Sequence, residues 1–111
     1  MTTTIDRVFV ALSDPTRRHL LETLGGRAPA SATTLARGLP VSRQAVLKHL
    51  QVLQDSELVT SGRSGREVLF RVRPERLLST ASWMTSLAAT WDERLSVLKA
   101  QAESNTPRRP R

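Results

Sequence analysis

Residues 41–60, VSRQAVLKHLQVLQDSELVT, define a helix with two different faces. Ala45, Val46, His49, Leu50 and Leu53 fall on one side at helical spacing, while Gln44, Leu47, Lys48 and Gln51 fall on the other. The apolar side has to be buried against other elements, so this helix belongs to the core and its polar side needs a separate explanation. Ser42 is placed as the N-cap, and the helix runs to about Asp55. Just ahead, Ser31 caps a short helix over residues 32–37 with Leu35 facing inward. The two are joined by GLPVS, and such a pair has the outline of a helix-turn-helix.

The flanking segments limit what surrounds this pair. TIDRVFVAL puts Ile5, Val8, Phe9 and Leu12 on one helical face, and Pro15 disfavours helix at the residue before it. A second helix then starts with Asp14 as N-cap and Pro15 as its first residue. Leu20, Leu21 and Leu24 form its apolar stripe, Gly25-Gly26 ends it, and RAPA reads as a loop.

Past residue 57 the period falls to two. Val68, Phe70 and Val72 alternate with Leu69, Arg71 and Arg73, and Gly62 and Gly65 lie between two apolar runs, as in a β-hairpin with arginines at its tip. From Pro74 onward Leu77, Ala81, Met84, Ala88, Trp91, Leu95, Leu98 and Ala102 recur four and three residues apart, a stripe that requires a partner helix. The ending TPRRPR is expected to be disordered. The expected fold is therefore mainly α with a small β-hairpin, a winged helix-turn-helix. Residues 1–104 make one domain and 105–111 a basic tail.

A chain of 111 residues suits one domain, and a homodimer would help its stability. The net charge is +7, from 17 Lys+Arg against 10 Asp+Glu, and a polyanion is the natural partner. Lys48 and Lys99 are the only lysines; the rest is arginine, whose planar fork matches phosphate oxygens and guanine edges. With no cysteine there is no disulfide framework or thiolate site, which fits a reducing cytoplasm. MTTTIDRVFV lacks the pattern of a signal peptide, and no apolar run reaches the length of a membrane span. No phosphate-binding glycine loop and no nucleophile with a supporting base and acid appears, so no catalytic residue and no cofactor is expected.

The polar face of the helix after Ser42 suits the major groove of double-stranded DNA. Ser42, Arg43 and Gln44 lie at the N-terminal end that reaches base edges. Arg43 suits guanine, Gln44 suits adenine, and Leu47 suits a thymine methyl. Lys48 and Gln51, further along, suit phosphates. Arg63 and Arg66 flank the hairpin tip, where they either neutralise phosphates, enter a narrow minor groove or simply decorate a charged turn. Of Arg17 and Arg18, one is expected to pair with an acid and one to face phosphate. His19 and His49 are read as structural rather than as ligands. Trp83 and Trp91 are read as dimer core, with a small-molecule pocket between subunits as the alternative.

FVALSDPTRRHLLETL, VSRQAVLKHLQVLQDSELV and GREVLFRV, in this order, resemble the signature segments of the ArsR/SmtB family of bacterial winged-helix transcriptional repressors, over residues 5–102. The resemblance implies a homodimer on a palindromic operator, repressing transcription and commonly its own operon. It also implies that the first and last helices clamp the dimer, here through Ile5, Val8, Phe9, Leu77, Met84, Leu87, Trp91, Leu95 and Leu98. Many members sense metals through cysteines on the third helix, where this chain has TTLARG. A second family site uses histidines and carboxylates on the last helix, which here offers Asp92, Glu93 and Glu103 without histidine, so no metal is expected. WDERLSVL resembles a subgroup without metal ligands whose members often act as simple autorepressors. A winged helix can also serve as a protein-interaction module without specific DNA binding, since fold alone does not fix function.

Overall fold

The computed structural model describes residues 3–105. Helix α1 (Thr4–Leu12) starts from a capping box in which Thr3 and Asp6 each bond the other's backbone N–H. Helix α2 (Pro15–Gly25) is capped by Asp14, which accepts from the backbone N–H of Arg17 at 3.0 Å, with Pro15 in the first turn, where a missing N–H costs nothing. Ser31 caps α3 (Ala32–Ala36) and Ser42 caps α4 (Arg43–Asp55), so these expected caps are all in use. Strands β1 (Val59–Ser64) and β2 (Glu67–Val72) form an antiparallel pair, and α5 (Glu75–Asn105) completes the order. The basic tail, beyond Asn105, lies outside the described residues. Among the described residues no helix is long and apolar enough to cross a membrane.

The chain divides into two compact units, one ending at Thr80 and one beginning at Ala81. In the first, Val8 and Ala11 of α1, Leu20, Leu21 and Leu24 of α2, Leu35 of α3 and Val46, Leu50 and Leu53 of α4 pack with Leu58, Val59 and Phe70 into one core. Val8, Leu20, Val46, Leu50, Leu53 and Leu58 are sealed from solvent. Burying one such leucine contributes about 1.5–3 kcal/mol, so α4 is anchored by three of its residues at once. In the second unit every described residue from 81 to 104 is exposed, including Trp91 at 55 % and Leu95 at 58 %.

Two details depart from the sequence reading. RAPA is not only a loop: Ala30 exchanges both backbone hydrogen bonds with Phe70, at 3.1 and 2.8 Å, which ties β2 to the segment ahead of α3. One paired residue is too short to produce an alternating pattern. The second is the end of α4, where Glu57 adopts a positive φ of 59°. Its N–H bonds the Gln54 carbonyl and the Leu58 N–H bonds the Leu53 carbonyl, both at 2.9 Å, a Schellman cap built on glutamate where glycine is usual. Leu58 and Leu53, at the two ends of that cap, are both fully buried, and the Glu57 carboxylate receives the Arg76 side chain. These contacts hold a backbone that a non-glycine residue otherwise avoids.

Candidate nucleic-acid interface

The two faces of α4 separate cleanly. Val46, Leu50 and Leu53 are fully buried, whereas Ser42, Arg43, Gln44, Lys48 and Gln51 are exposed along the opposite side. Ser42 is partly committed: its Oγ accepts from the Ala45 N–H at 3.1 Å and fixes how the chain enters the helix. Arg43 Nε donates to Thr33 Oγ1 at 3.1 Å, tying the start of α4 to α3. Gln51 donates to Asp55 Oδ1 on its own helix.

Leu47 differs from its expectation. It is half-buried, packs against the core and lines a cleft of about 250 Å3 with Thr33, Arg43, Arg66 and Val68. Phe70 of β2, paired with Ala30 ahead of α3, lines the same cleft, and the half-buried Leu47 leaves only part of its side chain for a thymine methyl.

The wing carries its two arginines differently. Arg63 lies on β1 opposite Val68, and Arg66 occupies the two-residue turn itself, after Gly65 with φ 62°. A glycine first in such a turn relieves the steric cost of positive φ and matches the twist of the strands. Both arginines are exposed, and among the described residues neither they nor Lys48 takes part in an ion pair. Of these three cations Arg66 lines the cleft beside the α4 N-terminus, with Glu67 in the same wall.

Behind this face lies a junction the sequence did not disclose. Arg17 Nε and Nη2 donate to the carbonyls of Ala11 and Val10 at 2.8 and 3.0 Å, and Arg18 Nη1 donates to that of Leu12 at 2.6 Å. Within the chain both arginines donate to backbone carbonyls, and the Arg17 side chain also stands near the Asp14 carboxylate. Both satisfy the carbonyls left open at the end of α1, where positive charge also suits the helix dipole. Arg17 Nη1 reaches His49 Nδ1 on α4 at 3.4 Å, and His49 Nδ1 stands 3.9 Å from Asp14 Oδ2, so His49 is structural and joins α4 to the α1–α2 corner. The hydrogen bond from the Arg17 N–H, followed by the nearby His49 and Arg17 side chains, holds the Asp14 carboxyl below its ordinary range against a smaller opposing effect of desolvation. Asp6 is lowered in the same way by its bonds with Thr3. Among the described residues no group of three or more His, Cys, Asp or Glu side chains could hold a metal ion.

The expected dimer residues split into two groups. Val8 is fully buried and Leu77 packs half-buried against the core, so both serve their own protomer first; Val8 has no surface left for a partner. Ile5 is half-buried, and Phe9, Met84, Leu87, Trp91, Leu95 and Leu98 are exposed, at 39 % for Phe9 and 60 % for Leu98.

Known proteins carry the same arrangement. The helix-turn-helix domain family matches residues 12–62. The HTH-type transcriptional regulator Rv2034 of Mycobacterium tuberculosis is 38 % identical over 91 residues, covering 82 % of this chain and 81 % of that protein. The transcriptional repressor SdpR of Bacillus subtilis is 29 % identical over 91 residues, covering 82 % of this chain and 100 % of its own length. A solved ArsR-like transcriptional regulator from Rhodococcus sp. RHA1 superposes with a TM-score of 0.84 at 47 % identity, over 93 % of this chain and 94 % of that one. With the mainly helical order, the hairpin wing and the long last helix in place, the chain belongs to the ArsR family of winged helix-turn-helix transcriptional regulators.

Proposed function

We propose that the protein is a homodimeric repressor that binds a palindromic operator in double-stranded DNA, with α4 in the major groove and the wing on phosphates or in the minor groove. The observation that carries this reading is the exposed row of Arg43, Gln44, Lys48 and Gln51 on a helix whose other face is locked into the core. Burial of Val46, Leu50 and Leu53 holds the backbone still, so base discrimination rests on the short reach of a few side chains. Arg43 forks onto guanine O6 and N7, Gln44 pairs with adenine, and Leu47 offers its exposed edge to a thymine methyl. Lys48, Gln51, Arg63 and Arg66 take up phosphate charge, which sets affinity and its salt dependence more than sequence choice.

Dimerisation through α5 is the second part of the proposal. Met84, Leu87, Trp91, Leu95 and Leu98 expose more apolar surface than a lone helix keeps in water, and a second copy of the same stripe covers it. Two-fold symmetry then places two recognition helices on half-sites about one helical turn apart. In this reading residues 1–104 make the working domain, the site of action is the cytoplasm, and no catalytic step is involved. Repression, as opposed to activation, follows the similarity to the repressor SdpR, and control of its own operon follows the resemblance of WDERLSVL to the autorepressing subgroup.

Selection from a randomised duplex library at near-physiological salt tests the reading. A palindromic consensus, with affinity that falls steeply as salt rises, is the expected result. Salt-sensitive binding without any enriched sequence would overturn it in favour of a protein-interaction module with nonspecific charge.

A further inference from the structure

Arg43 is the first residue of α4, and its position is fixed from both ends of the side chain. Ser42 sets the entry of the backbone through its bond with the Ala45 N–H, and Thr33 of α3 takes the Nε proton at 3.1 Å. Thr33 is exposed and was not among the residues expected to meet DNA. The cleft around Arg43 is walled by α3 and by Arg66 and Val68 of the wing, and Glu67 lines it without forming an ion pair to either arginine.

A guanidinium has five N–H donors in a rigid plane and presents two usable edges. One edge combines Nε with a terminal nitrogen, and the other is made by the two terminal nitrogens. With Nε given to Thr33, only the terminal pair remains for a two-point contact. Part of the rotamer freedom that a loose arginine would lose on docking is given up to this bond in the free protein, which favours the contact that matches its orientation.

We propose that Thr33 is a positioning residue for base reading: it turns the Arg43 fork so that its two terminal nitrogens meet guanine O6 and N7, and thereby sets the preference for guanine at one operator position. The proposal rests on the DNA-binding reading above. It gives α3 a part in specificity beyond spacing the recognition helix.

Three variants test it. Thr33→Val keeps the shape and removes the acceptor, Thr33→Ser restores the hydroxyl, and Arg43→Ala identifies the base pair that Arg43 reads when each protein is run through the randomised-duplex selection. At that base pair Thr33→Val lowers the guanine-over-adenine affinity ratio about three- to tenfold. Its affinity for a scrambled duplex and its Tm stay at wild-type values, because Thr33 is exposed and contributes no core contact. Thr33→Ser recovers the ratio, and adding Thr33→Val to Arg43→Ala changes nothing further. An unchanged ratio in Thr33→Val, an equal loss in the Arg43→Ala background, or an Arg43→Ala protein with an unaltered consensus each overturns the positioning role. Failure of the wild-type protein to enrich any sequence removes the DNA-binding reading itself, and the proposal with it.

Discussion

Helices α4 and α5 are both amphipathic by sequence, yet they use their apolar faces in opposite ways. In α4, Val46, Leu50 and Leu53 are completely buried inside the chain, and the face left over is polar. In α5 every residue from 81 to 104 is exposed, and Trp91, Leu95 and Leu98 remain 55 to 60 % accessible. The same periodicity therefore marks a surface that must be covered without naming the molecule that covers it. For α4 the cover is its own protomer, and for α5 the proposed cover is a second copy.

Two substitutions break that comparison most sharply. Leu50→Ala empties a sealed site among helices that relax only in part, and should cost about 2–5 kcal/mol in urea unfolding at any protein concentration. Leu95→Glu and Trp91→Glu place a charge on a face that is accessible within the chain. They should leave residues up to Thr80 folded and convert dimers to monomers in equilibrium sedimentation, with weaker binding to a selected duplex. An undisturbed dimer would show that the interface lies elsewhere on the molecule.

The contrast also explains what the sequence disclosed. Asp14, Ser31 and Ser42 are capping residues beside an apolar stripe, and each was legible because a cap is local, set by residues within one turn. The inner face of α4 was legible for the same reason. Contacts that depend on distant segments were not. Nothing in RAPA signals that Ala30 pairs with Phe70, forty residues away, and nothing near Arg17 signals that its donors close the end of α1 while touching His49. The partial burial of Leu47 was not legible either, because it depends on packing against the core and on wing residues that share its cleft from another part of the chain. In the site, residue types and spacing pointed to Arg43 and Gln44, but the role of Thr33 emerged only when α3 and α4 were seen side by side.

The caps supply a smaller effect with a defined direction in pH. Asp14 and Asp6 both have carboxyl groups held below their ordinary value of 3.8, Asp14 chiefly by the Arg17 N–H and Asp6 by the Thr3 backbone and hydroxyl. A lowered carboxyl binds its proton more weakly in the folded state than in the unfolded one. Its contribution to stability is therefore present above 3.8 and is lost as pH falls through the lower folded value. Thermal unfolding should show a declining Tm in that acid range, and Asp14→Asn, which still caps a helix but does not titrate, should flatten part of the decline. An identical acid limb in the variant would mean that the Asp14 cap contributes nothing to it.

The smallest effect concerns the join between α4 and the wing. Glu57 stands in the left-handed region, which costs a residue with a Cβ about 1–2 kcal/mol and costs glycine almost nothing. Against this, its carboxylate pairs with Arg76, but both side chains are close to half exposed, at 47 and 40 %, and such a pair contributes at most about 1 kcal/mol. Glycine also gains conformational freedom in the unfolded chain, which offsets part of the relief. Glu57→Gly should therefore raise stability by a few tenths of a kcal/mol, whereas Glu57→Ala, which loses the pair and keeps the strain, should lower it. Urea unfolding of the two variants side by side separates the contributions. If glycine proves more damaging than alanine, which loses the same ion pair, the freedom glycine gains in the unfolded chain outweighs the strain it relieves at the end of α4.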